Sequence, residues 1–494
     1  MPPEISKDLL AFTPMIHARL FAETPKFRDH TFQPTRSGLA SPEPPTPSSS
    51  DIHLDGNPSI DRPLFVQFCA NDPDELLKAA RYVQPFCDAV DLNLGCPQGI
   101  ARKGRYGAFL QEDWDLISRM INKLHDNLDV PVTAKIRILE TREKTLEYAK
   151  TILSSGASVI TVHGRQREQK GHNTGLADWS VLRYLRENLP PDTVIFANGN
   201  ILQHDDIDKC LEETGADGVM SAEGNLHDPT IFAEPPEIAH EGRLYWRGRD
   251  QKGGYRVDAV FRRYMDILYQ YVLEKPPPTR EPLFLPSDPP DEHLTQTTVG
   301  NESAVVDDQP PMKRQKRDKY IKPTSPSILA MRAHLFHLLR HLVAKHIDIR
   351  DALAHCRAGD MPSFENVLRM TERAVKDGLI DYEADPGKYD NISTSELRSG
   401  EQNDLAGKDE SSVATVNACK RPWWVCQPYV RPLPKEALEK GSLQLSKKDL
   451  KNLEQDQTPK DPLLQQKGLS ERVKLDGADG VPRAEMPKES MVCG

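Results

Sequence analysis

The chain has no uninterrupted run of about 18 apolar residues, which is what a membrane-crossing helix requires, and no charged-then-apolar N-terminal pattern. Membrane insertion and secretion are not expected, so the protein is expected to be soluble and intracellular, in the cytoplasm, the nucleus or both. Eight cysteines contain no Cys-x-x-Cys pair and no cysteine–histidine cluster with structural zinc spacing. A reducing compartment and no metal follow as expectations. Excess positive charge is also missing: 64 Lys+Arg against 74 Asp+Glu give a net charge of −10. That argues against non-specific coating of nucleic acid and confines any RNA contact to local basic patches.

Proline, by contrast, is plentiful at 41 residues, and with a mean hydropathy of −0.59 much of the chain is not packed core. Short apolar strand patterns alternate with helical ones between residues 10 and 224, the signature of repeated βα units around a parallel sheet. Strands are predicted over 10–16, 63–69, 89–95, 130–138, 159–165, 193–199 and 218–224. Helices are predicted over 72–86, 114–127, 142–155, 179–188 and 203–214, the first capped by Asp72 ahead of Pro73. The fold class expected is α/β, a (β/α)8 TIM-type barrel that is one stave short, as if its first strand-helix unit were missing.

Residues 1–275 are assigned to this barrel, with a Pro/Ser-rich insertion over 34–62 expected to be disordered. A Pro-rich linker follows over 276–324 and carries Lys313-Arg-Gln-Lys-Arg317, a nuclear address or a solvated cluster. Residues 325–380 read as a small helical domain, with Leu335, Leu338, Leu339, Leu342 and Val343 at helical spacing. The tail, 381–494, is expected to be mostly disordered apart from the aromatic and basic segment 419–431, where Trp423, Trp424 and Tyr429 either anchor the chain or stack on bases.

The most informative segment is Asp91-Leu-Asn-Leu-Gly-Cys-Pro97, a strand that ends on a thiol, followed by a loop carrying Arg102, Lys103 and Arg105. A cysteine among positive charges at a strand end suits proton chemistry on an anionic substrate; a half-buried turn cysteine fits equally well. Alternation in Val132-Thr-Ala-Lys-Ile-Arg-Ile138 turns Lys135 and Arg137 inward, and in Val159-Ile-Thr-Val-His-Gly-Arg165 it turns Thr161, His163 and Arg165 the same way. Gln67 and Asn93 alternate with apolar neighbours and can face the same centre. A lone strand lysine or histidine is more often structural, but four polar strands converging on one mouth are costly to bury without a polar ligand. Ala197-Asn-Gly-Asn-Ile201 and Ser221-Ala-Glu-Gly-Asn225 end the last two strands, where barrels of this kind often bind phosphate.

Taken together, Gln67-Phe-Cys-Ala-Asn-Asp72, Asn93-Leu-Gly-Cys-Pro97, Lys135-Ile-Arg137, His163-Gly-Arg165, Asn198-Gly-Asn200 and Ala222-Glu-Gly224 resemble the tRNA-dihydrouridine synthases over residues 10–275. Arg332-Ala-His-Leu-Phe336 and Trp423-Trp424 are most similar to the eukaryotic members acting on positions 16 and 17 of the tRNA D-loop. The resemblance implies FMN in the barrel mouth, reduced by NADPH or NADH, with hydride passing to C6 of a uracil and Cys96 protonating C5. It implies flavin contacts from Gln67, Asn93, Lys135 and His163, and a ribityl phosphate held by Asn198, Gly199, Asn200, Ala222 and Glu223. Arg137 and Arg165 would meet the uracil or RNA phosphates, Arg102, Lys103 and Arg105 the tRNA, and the helical domain would grip it.

One departure stands out: family members open with a strand and an Ala-Pro-Met turn, whereas this chain enters at the unit containing Leu10-Ala-Phe-Thr-Pro-Met-Ile16. An incomplete version of an active enzyme is the expectation, monomeric, with a flavin-less tRNA-binding protein as the alternative. A flavin barrel acting on a free pyrimidine is a third reading, disfavoured by the basic loop and the helical domain.

Overall fold

A computed structural model describes residues 9–36, 38, 44, 53–249, 251–288, 325–390, 415–416, 419–433 and 435–436. The basic pentad 313–317, much of the 34–62 insertion and most of the tail lie outside the described residues.

Strands β1 (Ala11–Phe12), β2 (Ile16–His17), β3 (Leu64–Cys69), β4 (Ala89–Asn93), β5 (Val132–Arg137), β6 (Val159–His163), β7 (Val194–Asn198) and β8 (Gly218–Met220) form one parallel sheet. β1 and β2 both pair with β3 and make a single stave in two pieces, so the sheet has seven staves in chain order. Among the described residues no pairing joins β8 to β1 or β2. The strand predicted over 10–16 breaks because Pro14 has no N–H to give the ladder; the Thr13 hydroxyl instead accepts from the Gln67 amide at 3.0 Å. The strand predicted over 218–224 stops at Met220.

Helices α1 (Ala18–Glu23) and α2 (Pro25–Thr31) follow the first stave, and α3 (Pro73–Val83) follows β3. The Asp72 carboxylate accepts from the Asp74 and Glu75 amides at 2.9 Å each, so the cap read from sequence is formed. The predicted loop after Cys96 contains a short helix, α4 (Gly99–Gly104), closed by Arg105 in the left-handed region at φ 54°. Then come α5 (Trp114–His125), α6 (Arg142–Ser154), α7 (Trp179–Asn188), α8 (Asp205–Thr214) and α9 (Glu223–His227). Their apolar faces bury Val66, Phe68, Leu92, Ile136, Ile160 and Val162 of the outward sheet face in one core.

Sequence patterning gave no warning of the antiparallel hairpin β9 (Tyr245–Arg247) and β10 (Gly253–Tyr255), or of α10 (Val257–Ile267). A second core joins Val257, Phe261 and Met265 of α10 to α11 (Pro326–Leu338), α12 (Arg340–Val343), α13 (Ile347–His355) and the 24-residue α14 (Met361–Ala384). Thus α10, inside the stretch assigned to the barrel, packs with the helical domain. Residues 276–288, expected as linker, are pinned across α10 and α14: Arg280 pairs with Asp266 at 2.5 Å and Glu365 at 2.8 Å. Trp424 is fully buried in this core, and the tail hydrogen-bonds beside it through Val257 N to Trp424 O, 2.9 Å, and Cys426 N to Tyr255 O, 2.8 Å. Helix α11 touches both α2 and α9, on either side of the unpaired edges.

Candidate active site

Parallel register stacks the inward side chains in levels. Gln67, Asp91 and Thr133 lie opposite one another on β3, β4 and β5, and Asn93, Lys135 and Thr161 follow one level higher on β4, β5 and β6. Arg137, His163 and Asn198 form the rim above, across β5, β6 and β7. All nine are buried.

Cys96 follows β4 on a turn clamped from several sides and is itself only 1% exposed. Asn93 Oδ1 accepts from the Cys96 and Gly95 amides at 2.9 and 3.2 Å, and Arg137 Nε donates to Gly95 O at 2.8 Å. Lys170 Nζ donates to Pro97 O at 2.6 Å, and the Ala108 amide to Cys96 O at 3.1 Å. Gly107 backs the turn with φ +63°, and a Cβ there would lie 2.8 Å from Cys96 O. The thiol packs with Cys69, Ala101 and Tyr106. Burial pushes the Cys69 thiol up to about 12, with Cys96 adding to the shift and a Tyr106 hydrogen bond opposing it.

His163 is held neutral: burial pushes its pKa well below 6.5, and Arg137, Lys135 and Arg165 add to the effect. Arg165 Nη1 lies 2.9 Å from His163 Nε2. A guanidinium only donates, so Nε2 is the acceptor and the ring proton sits on Nδ1. That buried Nδ1–H has no partner, and neither have Asn198 Oδ1 and the Thr161 hydroxyl. The rim opens into a cavity of about 660 Å³ whose walls include His163, Asn198, Ala222, Arg340, Tyr429 and Arg431. Barrel loops, helical domain and returning tail all contribute; the Arg340 guanidinium lies 3.6 Å from the Tyr429 ring centroid.

Several residues singled out from sequence have their polar atoms already engaged. Arg137 also donates to Gln166 O at 3.1 Å. Arg165 bonds Gly175 O and Asn200 Oδ1, and burial lowers its pKa to about 10. Asn200, in the left-handed region at φ 64°, uses its amide on Arg165 and the Ala177 backbone. The Glu223 carboxylate is paired with Arg431 at 2.8 Å. Gly199, at φ +111°, leaves room for Ala177 and the His163 ring, which a Cβ would meet at 2.7 and 3.0 Å. Arg102, Lys103 and Arg105 are exposed on and after α4, beside the Cys96 turn. Sequence reasoning turned Thr133 inward without giving it a role, and missed Asp91, Cys69, Tyr106 and Lys170. The alternation that singled out Asn93 also points to Asp91, two residues earlier on the same face.

A family model described as Dihydrouridine synthase matches residues 2–273. A Saccharomyces cerevisiae protein named tRNA-dihydrouridine(16/17) synthase, NAD(P)(+), is 41% identical over 431 residues, covering 86% of this chain and 78% of its own. Its namesake in Schizosaccharomyces pombe is 40% identical, with 86% and 82% covered. A Rattus norvegicus protein carrying the same name with the suffix "-like" is 34% identical, with 90% and 74% covered. With its parallel sheet, buried polar rim and strand-end thiol, the chain belongs to the dihydrouridine synthase family of oxidoreductases.

Proposed function

We propose that this protein reduces uridine to 5,6-dihydrouridine in the tRNA D-loop at positions 16 and 17, with FMN as cofactor and NADPH or NADH as reductant. The observation that carries this reading is the set of partnerless buried atoms at and just below the rim, the His163 Nδ1–H, Asn198 Oδ1 and the Thr161 hydroxyl, the last level with Lys135 in the sheet. Each would cost about 1–3 kcal/mol unsatisfied, and a polar ring system bearing carbonyls and a ring N–H, on a hydroxylated chain that ends in phosphate, offers both the acceptors and the donors they lack. The residues therefore fit a flavin.

Gln67, Asn93, Lys135 and His163 would hold the ring, and Lys135 offers positive charge where electron density collects on reduction. Asn198, Gly199, Asn200, Ala222 and Glu223 would hold the ribityl phosphate arm, Asn198 through its Oδ1 accepting from a ribityl hydroxyl and the others through backbone N–H groups, since the Asn200 amide is engaged with Arg165 and Ala177 and the Glu223 carboxylate with Arg431. When bound, FMN supplies the hydride that reaches C6 of the uracil. Cys96 Sγ gives its proton to C5, from a turn fixed by Asn93, Arg137 and Lys170. Arg165 keeps His163 in the tautomer that donates from Nδ1. Arg137 and Arg165 remain beside the uracil's path, while Arg102, Lys103 and Arg105 offer exposed cations to RNA phosphates. A stacked base cannot enter such a mouth, so the uridine must be extruded, with the helical domain and the 419–431 segment gripping the tRNA around it.

Incubating the purified protein with NADPH and tRNA that lacks dihydrouridine, then mapping the product by position, tests the reading. Dihydrouridine at 16 and 17 supports it; a colourless protein that shifts tRNA but forms none overturns it in favour of a flavin-less binder.

A further inference from the structure

We infer that Asp91, at the floor of the site, is a positioning residue for Cys96; the inference rests on the reading of Cys96 as proton donor. Asp91 is completely buried on β4. Its Oδ1 accepts from Thr133 Oγ1 at 2.6 Å and its Oδ2 from Gln67 Nε2 at 2.8 Å. Gln67 Oε1 in turn accepts from Asn93 Nδ2 at 2.7 Å, and Asn93 Oδ1 accepts from the Cys96 amide at 2.9 Å and the Gly95 amide at 3.2 Å. Four residues thus form one unbroken chain from the floor of the barrel to the reactive turn.

The direction of that chain is fixed. Backbone amides only donate, so Asn93 must present its oxygen to the turn and its NH2 to Gln67. Gln67 must then present its oxygen upward and its NH2 downward. Whatever lies beneath has to accept from Gln67 while also facing the Thr133 hydroxyl, and a carboxylate, which carries acceptors alone, meets that demand without ambiguity. Burial raises the Asp91 pKa, opposed by the hydrogen bonds from Thr133 and Gln67 and by the charge of Lys135 one level up. Take the acceptor away and the Gln67 NH2 loses its partner; a Gln67 that turns over sets its NH2 against that of Asn93, and Asn93 must then give up that bond or turn its own NH2 against two amide N–H groups, which loosens the Cys96 turn. Asp91 therefore acts on chemistry through Asn93, never touching substrate or flavin.

Asp91→Leu removes the acceptor, whereas Asp91→Asn keeps one oxygen that can still accept from Gln67. Three quantities separate the roles: reduction of bound flavin by NADPH, dihydrouridine formation, and alkylation of Cys96 by iodoacetamide read on its peptide. Loss of orientation at the reacting atom should lower dihydrouridine formation by Asp91→Leu roughly 10²-fold, well beyond the fall in flavin reduction that the same two amides would cause through their contacts with the ring. Alkylation of Cys96, slow in the wild type because it needs local opening, should rise about tenfold. Asp91→Asn should recover dihydrouridine formation to within about tenfold and alkylation to within about twofold of wild type, since the polarity of the amides survives. If Asp91→Leu does not fold, Asp91→Ala carries the same test, since it too offers Gln67 no acceptor. Wild-type alkylation and turnover in the Leu or Ala variant overturns the inference, as does a fall in flavin reduction equal to the fall in product. Alkylation needs neither flavin nor tRNA, so it reads the turn even if the wild type makes no dihydrouridine, the result that would sink the functional reading instead.

Discussion

Cys96 Sγ combines almost complete burial with a turn clamped by Asn93, Arg137, Lys170 and Gly107. Cys96→Ala is expected to keep flavin and tRNA binding while losing roughly 10²- to 10⁴-fold in dihydrouridine formation, the usual worth of a positioned acid, measured by nucleoside mass spectrometry. Lys135→Ala should release flavin or slow its reduction, visible in the absorbance of the purified protein; normal flavin content and normal rate would remove Lys135 from that role. These side chains were legible because strand alternation is rigid: once Val132, Ala134 and Ile136 face the helices, Thr133, Lys135 and Arg137 have nowhere to go but inward. What the alternation could not convey was which polar atoms are already engaged. Arg137 and Arg165 are expected to meet the uracil or RNA phosphates, and alternation gives no sign that their guanidinium groups also bond Gly95 O, Gln166 O, Gly175 O and Asn200 Oδ1. Pairings across tens of residues leave no local trace in the sequence.

Among the elements, strands and helices with strong periodicity and caps lie where patterning put them, for example α3 behind Asp72 and α7 at Trp179–Asn188. Misreadings cluster where a single residue overrides the pattern. Pro14 splits the first stave, and α4 forms across a stretch whose glycines and basic residues read as loop. The hairpin of β9 and β10 is three residues a side, too short for alternation to announce. Gly107 ties α4 and the Cys96 turn together, and Gly107→Ala would add both a left-handed strain and a clash 2.8 Å from Cys96 O. A stability loss of about 1–3 kcal/mol is expected in urea unfolding. Dihydrouridine formation should fall further than that loss explains, because the Cβ would push directly on the reactive turn.

The barrel and the second core meet where α9 and α11 touch, and His227 Nδ1 lies 2.9 Å from His337 O across that contact. Burial lowers the His227 pKa to about 4, and His163, His334 and His341 are lowered as well. These rings are neutral in the fold and take up protons on unfolding, so from pH 6.5 downward the unfolded chain gains and stability falls, for His227 until about pH 4. The shift corresponds to about 3 kcal/mol, and His227→Asn, whose amide can still donate to His337 O, should flatten the acid limb of a urea-midpoint against pH curve by that order. Trp424, the indole that fills the second core, was legible as an anchor, but the reach of its neighbours back to Val257 and Tyr255 was not. That reach orders events during synthesis. The barrel's last strand ends at Met220, whereas the second core stays incomplete until Trp424 has left the ribosome. At 5–20 residues per second the nascent chain therefore carries a formed sheet beside an unsealed set of apolar helices for roughly 10–40 s, an interval in which chaperones have their natural point of entry.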